Sequence, residues 1–231
     1  IYLNGEPVKL QGKRFKQLPQ KLQSWILDTT LNISIMENAT PEQEALIFRR
    51  LNNGKSMSRF DIARSYKKGM EDIRELTNHE LFNVMLSSHE RKALKQQEVI
   101  VKSWVALFEE EPNLTPAHIN EVMKMLSIGT DEQEELKTSY DFIFETYKIL
   151  NIKKENSEVV KMLLKITHLV GYLPFIGKFD TPDQFAKWAE TFFGNMPAEY
   201  ASLVREHTTS PSGIKARQSI IEKSINTFLN S

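Results

Sequence analysis

Helix-start signals follow one another from residue 40 to the end of the chain, and no other feature restricts its fold as much. Thr40-Pro41-Glu42-Gln43 combines an N-cap residue, a proline at the first helical position and a capping-box glutamine. Thr181 repeats this pattern with Pro182 and Gln184, and a last helix is predicted over about residues 215–229. Further N-caps are predicted at Ser88, Thr115, Thr130 and Ser157. We therefore expect residues beyond about 58 to be almost wholly helical.

The first 38 residues carry a different pattern, in which short strand-like pieces surround one helix. Val8–Leu10 and Lys13–Phe15 are strand-like, and Pro19 favours a helix with a buried stripe that includes Leu22 and Trp25. Leu31–Met36 alternates apolar and polar residues, the period of a half-buried strand. Because one strand cannot satisfy its own backbone groups, we expect this one to pair in a sheet whose partners lie partly upstream.

The start of the chain also carries information. Ile1-Tyr2-Leu3 is strand-like and is followed at once by Asn4-Gly5, a dipeptide that suits a tight hairpin turn. We interpret the chain as a fragment of a longer protein. The predicted class is α+β: the C-terminal part of a small α/β unit over residues 1–68, followed by a helical domain over residues 69–231.

Composition excludes several classes of function. The chain has no cysteine, which excludes disulfide scaffolds, thiol catalysis and thiolate metal sites and fits a cytoplasmic location. Its five histidines form no HExxH pair, and no Walker, GxGxxG or GxSxG motif is present. Asp131…Glu135-Leu136-Lys137 has the spacing of a metal-dependent nuclease motif, but its carboxylates suit the start of an acidic helix, and we interpret them so. No catalytic residue, metal ligand or cofactor is assigned.

Charge is divided unevenly along a chain that is neutral overall. Residues 1–68 hold 12 Lys/Arg against 6 Asp/Glu, a net charge of +6, and residues 69–231 hold 18 against 24, a net of −6. A phosphate-bearing ligand would favour the first part. The alternative is that these are solvated surface lysines beside an acidic helical body. No apolar stretch reaches about 18 residues, so no membrane partner is expected.

One segment combines a helix stop with clustered cations. Ile47–Ser58 closes a helix, turns at Gly54 and opens a second helix at Ser58. The backbone N–H groups of that second helix could face an anion, with Arg50, Lys55 and Arg59 nearby. The alternative interpretation is that the asparagines and Gly54 only stop one helix and that Ser58 only caps the next.

The spacing of this segment resembles that of a known family. Phe48-x-Arg50-Leu51-Asn52-x-Gly54-x-x-Met57-Ser58-x-x-Asp61-x-x-Arg64 is similar to the F-x-R-L-N-x-G-x-x-L-[ST]-x-x-E-x-R signature of a ParB-like family. That domain occurs at the N-terminus of GmrSD-type modification-dependent restriction enzymes and in stand-alone phage and bacterial proteins. The run Leu10-x-Gly12-x-x-Phe15-x-x-Leu18-Pro19 and the segment Glu80-Leu81-Phe82 also fit. The family's D-G-Q-Q-R motif and its C-terminal nuclease domain have no counterpart here.

The resemblance implies a module that binds nucleotide or DNA phosphate in a prokaryotic or phage restriction or defence protein, with the hydrolytic motif upstream. Arg50 and Asn52 are expected to support the pocket rather than to carry the chemistry. The predicted binding residues are Lys13, Arg14, Arg50, Asn52, Lys55 and Arg64. The alternative is a non-catalytic, phage-encoded module that binds a host protein through its helical part.

Overall fold

The protein was analysed as a computed structural model, which describes residues 2–3, 6–33, 35–40, 43–44, 46–47, 71–206 and 208–231. The chain divides into two compact units, an N-terminal unit, Ile1–Ala39, and a helical unit, Thr40–Ser231. The predicted boundary between residues 68 and 69 lies outside the described residues, as do the predicted helix stop at Gly54 and the predicted helix start at Ser58.

The N-terminal unit begins with a very short hairpin. β1, Tyr2–Leu3, pairs in antiparallel fashion with β2, Glu6–Pro7, so that Tyr2 lies opposite Pro7 and Leu3 opposite Glu6. A tight turn follows, in which the N–H of Lys13 donates to the carbonyl of Leu10 at 3.1 Å. Gly12 has a φ of +79° within this turn, a conformation that costs glycine little because it has no Cβ.

One helix follows in the same unit. A 3₁₀ turn over Phe15–Gln17 leads into α1, Gln20–Leu27, which starts directly after Pro19 as predicted. The predicted buried stripe is only partly present, because Leu22 is buried whereas Trp25 is 52% exposed.

The predicted α+β class, with a ParB-like α/β unit, is wrong: the protein is all-α. Val8–Leu10 and Lys13–Phe15 form no strands, and neither do the described residues of Leu31–Met36. Leu31 and Ile33 are each 79% exposed. Alternation of apolar and polar residues produces a strand only where a neighbouring strand accepts its hydrogen bonds. Within the described residues, the only strands are the two-residue β1 and β2, and these pair with each other.

The helical unit is built from helices of very different length. The helices with described bounds are α2 (Leu81–Met85), α3 (Ser88–Lys92), α4 (Lys95–Phe108), α5 (Pro116–Met125), α6 (Thr130–Asn151), α7 (Ser157–Leu163), α8 (Ile166–Tyr172), α9 (Pro182–Gly194), α10 (Ala198–Glu206) and α11 (Pro211–Leu229). Short 3₁₀ helices cover Leu76–Asn78, Lys154–Asn156 and Leu173–Lys178. Gln43, Glu44, Leu46 and Ile47 are also helical.

The core of this unit lies where α6 packs along α9 and where α8 packs against α11. Its centre is aromatic: Phe185 stacks on Trp188 with ring centroids 5.3 Å apart, and Tyr172 lies 5.4 Å from Phe185. The indole N–H of Trp188 donates to the hydroxyl of Ser224 at 3.1 Å, which ties α9 to α11. Half-buried apolar side chains of α4 and α6 pack against the buried core, namely Trp104, Leu107, Phe108, Phe142 and Tyr147.

The helix starts match the sequence patterns to within a few residues. Thr115 and Thr181 are N-caps as predicted, and Thr40 and Gln43 exchange the hydrogen bonds of a capping box. The other predicted caps lie one residue late, because Ser87, Gly129 and Asn156 hold the cap positions. The hydroxyl of Ser87 accepts from the N–H of Glu90 at 3.3 Å, and Glu90 Oε2 accepts from the N–H of Ser87 at 3.0 Å, so these two residues form a capping box. The last helix starts at Pro211, about four residues before its predicted start.

Among the described residues, no single helix combines the length and the apolar composition of a membrane span. One pair of helices, Ser157–Leu163 with Ile166–Lys178, has that length and composition only when taken together, and it is bent by 70°.

Candidate functional site

The structure describes only two of the six predicted phosphate-binding residues. Lys13 and Arg14 are exposed in the N-terminal unit, where the backbone N–H of Arg14 donates to the amide oxygen of Gln17 at 2.8 Å. Arg50, Asn52, Lys55 and Arg64 lie outside the described residues. The predicted phosphate-binding site therefore stays a prediction.

The helical unit contains a groove of about 560 Å³. It lies between the end of α4, the first half of α6, and the segment from the 3₁₀ helix Leu173–Lys178 to Phe179. The residues that line it are Leu107, Asp131, Glu134, Glu135, Thr138, Ser139, Phe142, Leu173, Pro174, Ile176, Gly177 and Phe179. One side is thus rich in carboxylates and the other is apolar.

The acidic side of the groove follows directly from the helical repeat of α6. Asp131, Glu134, Glu135 and Thr138 stand at positions i, i+3, i+4 and i+7, so they share one face of the helix. Seven residues of α-helix rise roughly 10 Å, which sets the length of this polar edge. All four residues are exposed. We call Asp131, Glu134 and Glu135 the acidic edge.

The apolar side of the groove rests on the aromatic core. Phe142 and Phe179 both contact the ring of Phe185, with centroid distances of 5.8 and 5.0 Å. Phe185 is fully buried, so these contacts fix the two lining rings on the side that faces the core. Leu173 and Ile176 complete the apolar side and are themselves buried.

Gly177 leaves part of the groove wall without a side chain. A Cβ added at this position would meet no atom within 4 Å. The space in front of its Cα is therefore open, and a larger residue there would extend into the groove rather than into the core.

The two lysines that adjoin groove-lining residues in the sequence, Lys137 and Lys178, are paired with other carboxylates. Lys178 Nζ lies 2.7 Å from Glu222 Oε1 and 3.2 Å from Asn226 Oδ1. Lys137 Nζ lies 2.8 Å from Asp141 Oδ2, and this hydrogen bond is the main cause of the raised pKa of Lys137, with a smaller contribution from Glu134. Among the described residues, Asp131 and Glu135 form no ion pair.

The nuclease-like spacing does not assemble a metal site in the part of the chain that the structure describes. No group of three or more His, Asp or Glu side chains there is placed to hold a metal ion. Lys137, which completes the D…ExK pattern, pairs with Asp141. Two of the histidines bond residues outside this pattern: His79 Nε2 lies 3.0 Å from Asp141 Oδ1, and His168 Nδ1 lies 3.0 Å from the hydroxyl of Tyr200.

The sequence interpretation missed the groove, although half of its signal was present. The acidic edge, at positions i, i+3 and i+4 of the helix that carries Phe142, is visible in the sequence, which predicts for Asp131 and Glu135 only a favourable interaction with the helix dipole. The opposite wall, Leu173–Phe179, lies more than 30 residues further on, and no local pattern joins the two. No protein-family model, curated protein or solved structure matches this chain.

Proposed function

We propose that the chain is a protein-interaction module whose helical unit binds an apolar segment of a partner protein in the groove. The observation that supports this most directly is an open groove of about 560 Å³ whose apolar side is anchored on a buried aromatic core. Apolar anchors that enter a preformed pocket contribute most of the affinity in many protein–protein interfaces.

The lining suits a peptide segment better than a small metabolite. Sites for small ligands enclose most of the ligand and present several convergent polar groups. Here the apolar side is formed by Leu173, Ile176 and Phe179, while the carboxylates stand on the exposed edge. A helix laid in a groove between helices matches this division of apolar and polar contacts.

Gly177 provides a direct test. A random peptide library is selected against the full chain, and the selected peptides are measured against Gly177→Leu and the matched control Gly194→Leu. Gly194 also has no atom within 4 Å of an added Cβ, and it does not line the groove. We expect peptides that bind the parent and Gly194→Leu but not Gly177→Leu. Peptides that bind all three proteins equally, or no selected peptide at all, would contradict the proposal.

The segregation of charge favours a second candidate function, the binding of nucleotide or DNA phosphate by residues 1–68. The net charge of +6 in this part is the observation that favours it. If this candidate function is correct, affinity for a short DNA duplex should fall steeply with added salt. The double variant Arg50→Ala with Lys55→Ala should also bind the duplex more weakly than the parent. Absence of binding at low salt would remove this candidate. The ParB-like resemblance and the cytoplasmic location stay predictions beside it.

A further inference from the structure

We infer that the occupant of the groove is a cationic amphipathic segment, with apolar side chains against Phe142 and Phe179 and Lys or Arg against the acidic edge. This inference rests on the proposed function and names the chemistry of the partner. It is carried by charge complementarity, by the spacing of the carboxylates, and by the observation that Asp131 and Glu135 form no ion pair with a described residue.

Among the described residues, no lysine or arginine forms an ion pair with the acidic edge, although Glu134 contributes to the raised pKa of Lys137. Asp131 and Glu135 form no ion pair with any described residue, and the two lysines closest in sequence to the lining residues are held by Asp141 and Glu222. The helical unit as a whole, residues 40–231, holds 25 Lys/Arg against 27 Asp/Glu, a net charge of −2, so its overall charge has the same sign as the edge. A groove that carries one sign of charge attracts the opposite sign and speeds its association.

The spacing of the carboxylates along α6 favours a helical partner. The acidic edge, from Asp131 to Glu135, extends roughly 6 Å along the helix, about one turn. A helical partner laid along it would present basic residues three or four positions apart on one face and apolar residues on the adjacent face. DNA phosphates and anionic lipid headgroups would be repelled by the edge, so a basic protein segment is the occupant that the charges favour.

Three synthetic 15-residue peptides test this inference. They share one apolar face of Leu and Phe, and their remaining positions are Lys, Gln or Glu. Binding of each to the full chain is measured by fluorescence anisotropy at 50 and 500 mM salt. The proteins compared are the parent, Glu134→Lys with Glu135→Lys, and the control pair Glu199→Lys with Glu206→Lys, which changes net charge equally on the exposed positions of α10.

We expect the Lys peptide to bind the parent most tightly, and its affinity to fall about tenfold or more in the Glu134/Glu135 variant and at high salt, because exposed ion pairs are screened. The control pair should retain most of the affinity. Equal binding of the three peptides, or equal losses in the two charge-reversed proteins, would overturn the inference.

The same set separates this inference from the proposed function. If the Gln or Glu peptide binds best and Gly177→Leu abolishes that binding, the groove is a docking site but its partner is not cationic. If Gly177→Leu leaves the affinity of every peptide unchanged, the groove itself is the wrong site. A dimer in sedimentation that Gly177→Leu dissociates would show that a second copy of the chain occupies the groove, which overturns the inference.

Discussion

The ring of Phe179 lies edge-on against the ring of Phe185, with the centroids 5.0 Å apart and the planes at 61°. Phe179 lines the groove, whereas Phe185 is fully buried and stacks on Trp188. One aromatic pair therefore connects the surface that is proposed to bind a partner with the centre of the core. Any change that loosens Phe185 should change the groove as well.

We predict that Phe185→Ala lowers the free energy of unfolding by about 3–5 kcal/mol, because it removes a buried ring and leaves a cavity. The measurement is urea denaturation followed by circular dichroism. Phe144→Ala is the control, because Phe144 is only half-buried and stacks on Tyr147 near the surface. Phe144→Ala should lower the free energy of unfolding by clearly less. Equal decreases in the two variants would contradict the placement of Phe185 at the centre of the core.

We predict that His168 makes the protein less stable in mild acid. Burial lowers the pKa of His168 to about 4, with smaller effects from Lys165 and Arg217. The folded protein therefore binds this proton less readily than the unfolded chain, whose histidine has a pKa of about 6.5. The stabilising contribution is complete above pH 6.5 and falls as the pH drops towards 4, by up to about 3 kcal/mol.

The check compares unfolding free energies of the parent and His168→Gln from pH 4.5 to 7.5. Glutamine keeps a polar group that can bond the hydroxyl of Tyr200, which lies 3.0 Å from His168 Nδ1. It does not titrate, so the variant should lose stability less steeply as the pH falls. Parallel curves for the two proteins would show that His168 is protonated without penalty in the fold.

We predict that Arg217→Lys destabilises the helical unit by about 2–3 kcal/mol. The guanidinium of Arg217 is buried and donates to the carbonyls of Thr167 at 2.6 Å and Thr208 at 2.7 Å. A lysine has one ammonium and cannot reach carbonyls that lie in different directions, so at least one would lose its donor. Arg205→Lys is the matched control.

Arg205 is exposed, and its described side-chain hydrogen bond is a single one to the carbonyl of Ala201 at 3.4 Å. Its replacement should change the free energy of unfolding by no more than about 0.5 kcal/mol. Thermal denaturation of both variants measures the difference. A loss in Arg217→Lys as small as that in Arg205→Lys would mean that the carbonyls find other donors.

We predict that the neutral ring of His79 carries its proton on Nε2. The backbone N–H of Leu81 donates to Nδ1 at 3.1 Å, so Nδ1 must be the unprotonated nitrogen and Nε2 donates to Asp141 at 3.0 Å. Nitrogen NMR shifts of the imidazole at alkaline pH distinguish the two tautomers. Asp141→Asn should broaden or shift the Nε2 signal, whereas a dominant Nδ1–H form would contradict the contact with Leu81.

The groove shows where prediction from the sequence stopped. The acidic edge and Phe142 lie within 12 residues of one helix, so their common face could be inferred from the helical repeat. Gly177 and Phe179 enter the site only through tertiary packing, because the 3₁₀ helix Leu173–Lys178 and α6 both pack against α4. No feature of residues 131–142 specifies that neighbour.

The sequence by itself determined where several helices begin, because a cap is a contact among four consecutive residues: Thr115-Pro116 and Thr181-Pro182 with Gln184 act as their patterns predict. The tertiary structure decided whether an alternating apolar pattern forms a strand. Leu31–Met36 has the alternation of a strand, yet its described residues have no strand beside them and form none. A helix satisfies its own backbone hydrogen bonds, whereas a strand takes them from another segment of the chain. Local sequence can therefore specify a helix, but only the folded chain can supply the partner that a strand needs.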